Sequence, residues 1–147
     1  MSVTYRAVAA SPQDVFDVLA DGWLYVGWVV GTARIRGVDA DWPQPESRLH
    51  HSVGLWPFML EDTTSMVEWD PPRRAVLRAR GWPIGEAHVT IDVKRRGDGC
   101  VVRLNEDAVE GPGRFVPSVF RQPVIHVRNK ESLQRLAYLA EGHAGRT

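Results

Sequence analysis

The stretch RARGWPIGEAHVTI, residues 78–91, places Arg78, Arg80, Glu86 and His88 around a Trp-Pro turn, a mixture able to move a proton or hold an anion. Alternation tests that idea. Leu77, Ala79, Ala87, Val89 and Ile91 share one face of a hairpin only if Ala79 pairs with Ala87, Leu77 with Val89 and Ala75 with Ile91. The same register sets Arg80 against Glu86, Arg78 against His88 and Arg74 against Asp92 on the other face. Opposite charges facing each other across a hairpin are how a solvated face is usually decorated. Arg80 and Glu86, which flank the turn at Trp82, keep a claim to the mouth of a pocket.

The following strand carries more information. With Val102 and Leu104 inward and Arg103 and Asn105 outward, alternation sends Glu106 inside with Cys100 and Ala108. A carboxyl facing an apolar interior is costly unless paired, and its pKa rises. Glu106 is therefore a candidate general acid/base or a ligand anchor, unless a bulge lets it reach water. Glu61 and Asp62 are neighbours, so one must point inward along a regular strand. The run Met59, Glu61, Thr63, Ser65, Val67, Trp69 competes with Phe58, Leu60, Asp62, Thr64, Met66, Glu68. The first is preferred here because it buries Val67 and Trp69.

His50 and His51 resemble a metal or catalytic pair, but adjacent strand residues point to opposite faces and cannot share one ion. His51, on the apolar face with Leu49 and Val53, is a candidate acid/base, since its unperturbed pKa lies near neutrality; a core histidine bonded to a neighbour is the alternative. Asn129 is the amide on the inward stripe of a C-terminal helix, placed to orient a ligand carbonyl or to bond a strand. No Gly-rich phosphate loop, Gly-x-Ser-x-Gly elbow or Cys/His nucleophile pattern is present. No metal site and no cofactor is expected.

These residues need elements to position them. Ser2 to Ala9 reads as a strand, and Ser11-Pro12-Gln13-Asp14 as a helix start with Pro at the first position. Val15, Phe16, Val18 and Leu19 form that helix's apolar stripe. Asp21 caps a second short helix carrying Trp23, Leu24 and Val26. Strands follow over 32–38, 48–55, 59–69, 75–80, 86–95 and 100–109, separated by Pro- and Gly-bearing turns. From about Pro117 to Glu141 one long helix carries Ile125, Asn129, Leu133, Leu136 and Ala140 inward, with Pro123 kinking or capping it.

The bulk numbers narrow the partners. A chain of 147 residues buries one core without staples. Lys plus Arg equals Asp plus Glu at 18 each, so there is no basic excess to drive nucleic-acid binding. A single Cys100 excludes an intramolecular disulfide. No stretch approaches the roughly 18–20 apolar residues of a membrane span. The first residues lack a signal-peptide pattern, so a cytoplasmic protein is expected. The six tryptophans, Trp23, Trp28, Trp42, Trp56, Trp69 and Trp82, are either packing rings or the wall of an aromatic-lined pocket.

The order of elements predicts an α+β domain: a curved antiparallel sheet of seven strands wrapped on a long C-terminal helix, with two short helices after the first strand. One helix cannot touch the whole concave face, so space for a ligand is expected between them. SPQDVFDVLAD, VEWDPPRRAVLRARG and RNKESLQRLAYLAE resemble the START-like, helix-grip (SRPBCC) superfamily, which includes polyketide cyclase/dehydrase-like and plant pathogenesis-related lipid-binding proteins. The resemblance covers nearly the whole chain and implies a single helix-grip domain over residues 1–147. It implies a hydrophobic, aromatic, polycyclic or lipid-like ligand, and leaves catalysis open. As an enzyme the chain would be a cyclase, aromatase or dehydratase in which His51 or Glu106 moves a proton. A non-catalytic carrier or sensor, or a co-chaperone-like module, competes. Trp28, Trp56, Met59 and Trp82 are the expected wall residues, Glu61, Arg80 and Asn129 the further polar contacts, and a homodimer is left open.

Overall fold

The computed structural model describes residues 2–30, 32–53, 60–81, 85–110 and 118–145. Strand β1 (Ser2–Val8) leads to helix α1 (Pro12–Ala20), a single 3-10 turn (Gly22–Leu24) and the short helix α2 (Tyr25–Trp28). Strands β2 (Thr32–Val38), β3 (Arg48–Val53), β4 (Leu60–Asp70), β5 (Arg74–Gly81), β6 (Gly85–Arg96) and β7 (Gly99–Glu110) follow, and helix α3 (Ser118–Ala144) ends the chain. They form one antiparallel sheet in the order β1-β7-β6-β5-β4-β3-β2. Each strand meets its sequence neighbour, and β1 closes the far edge against β7.

Local chemistry fixes the helices. The Ser11 hydroxyl accepts from the Asp14 N–H at 3.1 Å and the Asp14 carboxylate accepts from the Ser11 N–H at 3.0 Å, a reciprocal capping box that satisfies two helix-end donors. Val15, Phe16, Val18 and Leu19 turn inward from α1. Asp21 takes the Trp23 N–H at 3.2 Å and so starts the 3-10 turn. Gly22 lies directly on Leu49 and Val38, where a Cβ would collide with both. Helix α3 runs through Pro123 rather than starting at it. Its buried residues Asn129, Leu133, Leu136 and Ala140 are the expected stripe, joined by Ser132 and Ala137.

The β5–β6 hairpin has the register expected from its alternation, with Ala79 opposite Ala87, Leu77 opposite Val89 and Arg78 opposite His88. Its other face is wet: Arg80 Nε lies 3.1 Å from Glu86 and Arg74 Nε 2.6 Å from Asp92. Three other strands break alternation: β2, β4, and β7 near its end, where Glu86 faces Glu110 but Ala87 faces Ala108. In β4, Met66 faces Leu77 but Glu68 faces Val76, so Val67 is an extra, bulged residue. That one insertion lets Met66 be buried while Trp69, three residues on, packs on Phe16 at 5.3 Å. Ala33 and Arg36 are extra residues in β2, and they bring both Ile35 and Val38 against the core.

Rows of side chains cross the sheet's inner face. Leu104, Ile91 and Ala75 make one, and Glu106, Val89, Leu77 and Met66 the next. Leu49, Thr64, Ala79 and Ala87 follow, then Asp62 opposite His51 opposite Ile35. The apolar rows anchor the fold, each fully buried Leu or Ile contributing roughly 1.5–3 kcal/mol. The polar positions interrupt them toward one end.

Candidate functional site

His51 is 2% exposed, on the inner face of β3. Its Nε2 lies 2.8 Å from the Thr64 hydroxyl on β4, and the Tyr25 hydroxyl of α2 lies 3.0 Å from the same oxygen. The Tyr25 ring stacks on the imidazole with centroids 5.5 Å apart, and Trp28 meets Tyr25 edge-on at 5.6 Å. Two aromatic rings from α2 thus cover a histidine on the sheet. Burial pulls the His51 pKa below its ordinary value near 6.5, against the attraction of Asp62. Burial likewise pushes the Tyr25 phenol up to about 12.

Glu106 is inward and 8% exposed, as alternation requires. It is not a lone carboxylate: one guanidinium nitrogen of α3, Arg128 Nη2, donates to both of its oxygens. Desolvation still raises its pKa, with Arg128 pulling the other way. Arg128 carries Asn129 beside it on the helix. Asn129 is 4% exposed and its Nδ2 has no hydrogen-bond partner among the described residues; His51 Nδ1 is in the same condition. Ser132, one turn along, accepts the Val30 N–H at 3.1 Å and so ties the end of α2 to α3.

The remaining expected residues separate. Trp28 is buried beside Tyr25. Trp56, Met59 and Trp82 lie outside the described residues. Glu61 is corrected: its side chain is 64% exposed, 3.8 Å from Arg36, on the outer face. The reason is the Val67 bulge, which lets Trp69 be buried without putting Glu61 on the same face; Asp62 is the residue opposite His51. Arg80, 57% exposed, pairs with Glu86 on the outer face of the hairpin. Tyr25, Thr64 and Arg128 were not singled out by the sequence. Arg128 had a signal, as the cation next to the inward Asn129. Thr64 belonged to the competing β4 run.

Around Tyr25 and Trp28 the interior is filled. A void of about 10 Å³, room for about one water, lies among Leu19, Gly22, Tyr25, Trp28, Leu49 and Met66. Asp14, Asp17 and His143 bring ligand-type atoms within 4.8 Å of one another on the outside, between α1 and the end of α3. There Asp14 serves the capping box, and His143 bonds Asp17 at 3.0 Å.

The polyketide cyclase / dehydrase and lipid transport family model matches residues 1–141. The chain belongs to this family. Solved structures share its architecture. A protein from Nitrosomonas europaea superposes with a TM-score of 0.74 at 14% identity, covering 97% of this chain and 95% of that one. Ara h 8.0201 gives 0.71 at 11% identity, covering 99% and 97%. The di-domain ARO/CYC protein StfQ of the steffimycin biosynthetic pathway gives 0.70 at 13% identity, and covers 98% of this chain and 50% of that one. The chain thus spans about half of that di-domain protein. No curated protein matches the sequence significantly. The family and its neighbours establish the helix-grip fold expected from the order of elements. Among the described residues, no helix is long and apolar enough to cross a membrane.

Proposed function

We propose that this member of the polyketide cyclase / dehydrase and lipid transport family binds a hydrophobic, aromatic or polycyclic small molecule between the sheet and α3. The carrying observation is that buried polar atoms without hydrogen-bond partners among the described residues include His51 Nδ1 on the sheet and Asn129 Nδ2 on the helix. An unsatisfied buried polar group costs about 1–3 kcal/mol. A domain with a net stability of about 5–15 kcal/mol gives up a sizeable share to keep two of them. A ligand that supplies their partners recovers that cost, and the surrounding Leu, Ile, Val and Met rows suit its apolar body. Mass spectrometry of small molecules extracted from the purified protein, together with titration of tryptophan emission by polycyclic aromatics and fatty acids, tests this. An unchanged spectrum at the solubility limit of every ligand, with nothing extracted, defeats the reading.

A catalytic version has one specific observation in its favour. Glu106 faces the inner wall, and burial raises its carboxyl pKa, the direction a group that holds or delivers a proton needs. In a cyclase or dehydratase it would act on a ligand positioned by His51 and Asn129. Glu106→Gln keeps size and hydrogen-bonding reach while removing the titration. For an enzyme that change abolishes turnover and spares binding; for a carrier it leaves transport of the ligand intact.

A further inference from the structure

We propose that Tyr25 and Thr64 are positioning residues that fix His51 as an Nδ1–H donor, so that the site selects ligands bearing a carbonyl oxygen over hydrocarbons of the same shape. The inference rests on the binding reading above and adds the ligand class. It begins with the protons of one short chain. The Thr64 hydroxyl lies between the Tyr25 hydroxyl and His51 Nε2, at 3.0 and 2.8 Å. Three proton orders are available. If Tyr25 donates to Thr64 and Thr64 donates to Nε2, both hydroxyl protons and the Nε2 lone pair are used. One group is then left over, an Nδ1–H. If instead Nε2–H donates to Thr64 and Thr64 donates to Tyr25, the phenol proton is stranded and the Nδ1 lone pair is stranded as well. In the third order Thr64 accepts from both Tyr25 and Nε2–H, which strands the Thr64 proton and the Nδ1 lone pair. Two buried polar groups without partners cost more than one, so the first order wins.

The environment supports the same order. Burial keeps the imidazole neutral and the phenol protonated, which leaves Tyr25 a donor at any ordinary pH. In this arrangement the sheet wall offers a buried N–H at His51 and the helix wall offers another at Asn129 Nδ2. Neither has a partner among the described residues, and the other buried nitrogen in that condition, Arg6 Nε, lies on β1 against Tyr138. Two donors without acceptors call for an oxygen with lone pairs and no proton of its own to place. A carbonyl meets that demand; a methylene offers nothing, and a hydroxyl brings a further proton.

Two measurements test the proposal. Long-range 1H–15N spectra of labelled protein, with the His51 signals assigned by comparison with His51→Gln, report which ring nitrogen carries the proton. The wild type is expected as Nδ1–H, with Thr64→Val and Tyr25→Phe shifting His51 toward Nε2–H and Thr64→Ser restoring the wild-type pattern. An Nε2–H wild type overturns the proposal whatever binds. In the second arm fluorene, 9-fluorenol and 9-fluorenone present CH2, CHOH and C=O on one tricyclic skeleton. The wild type is expected to bind fluorenone at least tenfold more tightly than fluorene. Thr64→Val and Tyr25→Phe should reduce that ratio below threefold while leaving fluorene affinity in place. Equal wild-type affinity for ketone and hydrocarbon overturns the ligand class while the binding reading stands. Failure of all three to bind counts against the binding reading itself, and the spectra then decide the His51 assignment alone.

Discussion

Glu106 and His51 share the inner wall, and burial moves their pKa values in opposite directions. His51 is held below 6.5, so the unfolded chain takes up its proton first, and the stability present above pH 6.5 is lost as pH falls. Glu106 is held above 4.5, so the folded chain takes up its proton first, and stability is lost as pH rises from 4.5 through the folded value. Urea denaturation between these two pH values should separate them. His51→Gln is expected to flatten the loss of stability on acidification, and Glu106→Gln to steepen it. Deviations of the same sign in both variants would contradict the burial argument. The partner has its own consequence. Arg128→Met leaves the inward carboxylate without its cation and should cost about 1–2 kcal/mol, less than for a fully buried pair because Arg128 is 42% exposed. The double change with Glu106→Gln should recover most of that loss. At this scale the sequence was legible where polarity stood out against an apolar pattern, as at Glu106, His51 and Asn129. Tyr25 and Thr64 were not legible, because a tyrosine in a short helix and a threonine in a strand look like ordinary packing residues. Their role exists only through Tyr25–Thr64–His51 contacts made 39 and 13 residues apart in sequence.

Strict alternation carried the β5–β6–β7 half of the sheet up to Ala108 and failed in β2, in β4 and at the end of β7. The difference is one extra residue at each bulge, which reverses every later side chain on the strand. No residue type announces Val67 as that extra position, and Trp69 alone argued for the opposite phase. Glu61 was misplaced for this reason. Deletion of Val67 tests the account. With Val67 gone, Met66, Glu68 and Trp69 follow one another in regular alternation, so Met66 and Trp69 still both turn inward and stability should change by less than about 2 kcal/mol. A loss of about 3 kcal/mol or more on chemical denaturation, that of one large buried side chain, would remove the bulge from the explanation. The hairpin offers the converse test. Arg78 is exposed on the wet face, 3.4 Å from His88. Arg78→Ala and His88→Ala should each change stability by less than about 1 kcal/mol and leave ligand binding within twofold. A tenfold loss of affinity from either would return the hairpin to the list of candidate sites.

Across the whole molecule, α3 is held unevenly. Its second half is gripped from several sides: Leu133, Leu136, Ala137 and Ala140 are buried, and Arg6 lies over the Tyr138 ring at 5.6 Å. Glu141 accepts the Ala9 N–H at 2.9 Å, and His143 bonds Asp17 of α1 at 3.0 Å. The preceding turn is different. Val127 is 69% exposed, and the inward contacts there are the polar ones of Arg128, Asn129 and Ser132. Amide exchange should therefore be slowest over residues 133–140 and faster over 126–132, because local opening frees fewer buried apolar contacts there. A ligand between sheet and helix adds its contacts to the weaker stretch. At a hundredfold excess over its Kd, saturation stabilises the folded state by about 2.7 kcal/mol. That gain should appear as slowed exchange over 126–132 and on β3 around His51, with the already protected 133–140 segment changing least at the ligand-bound face. The measurement is amide exchange by mass spectrometry with and without fluorenone. Protection confined to residues 136–144 and α1 would put the ligand on the outer clasp of Asp17 and His143 instead, and the interior site would then be wrong. Protection centred on Asn129 and His51 would join their two unpartnered nitrogens through one molecule.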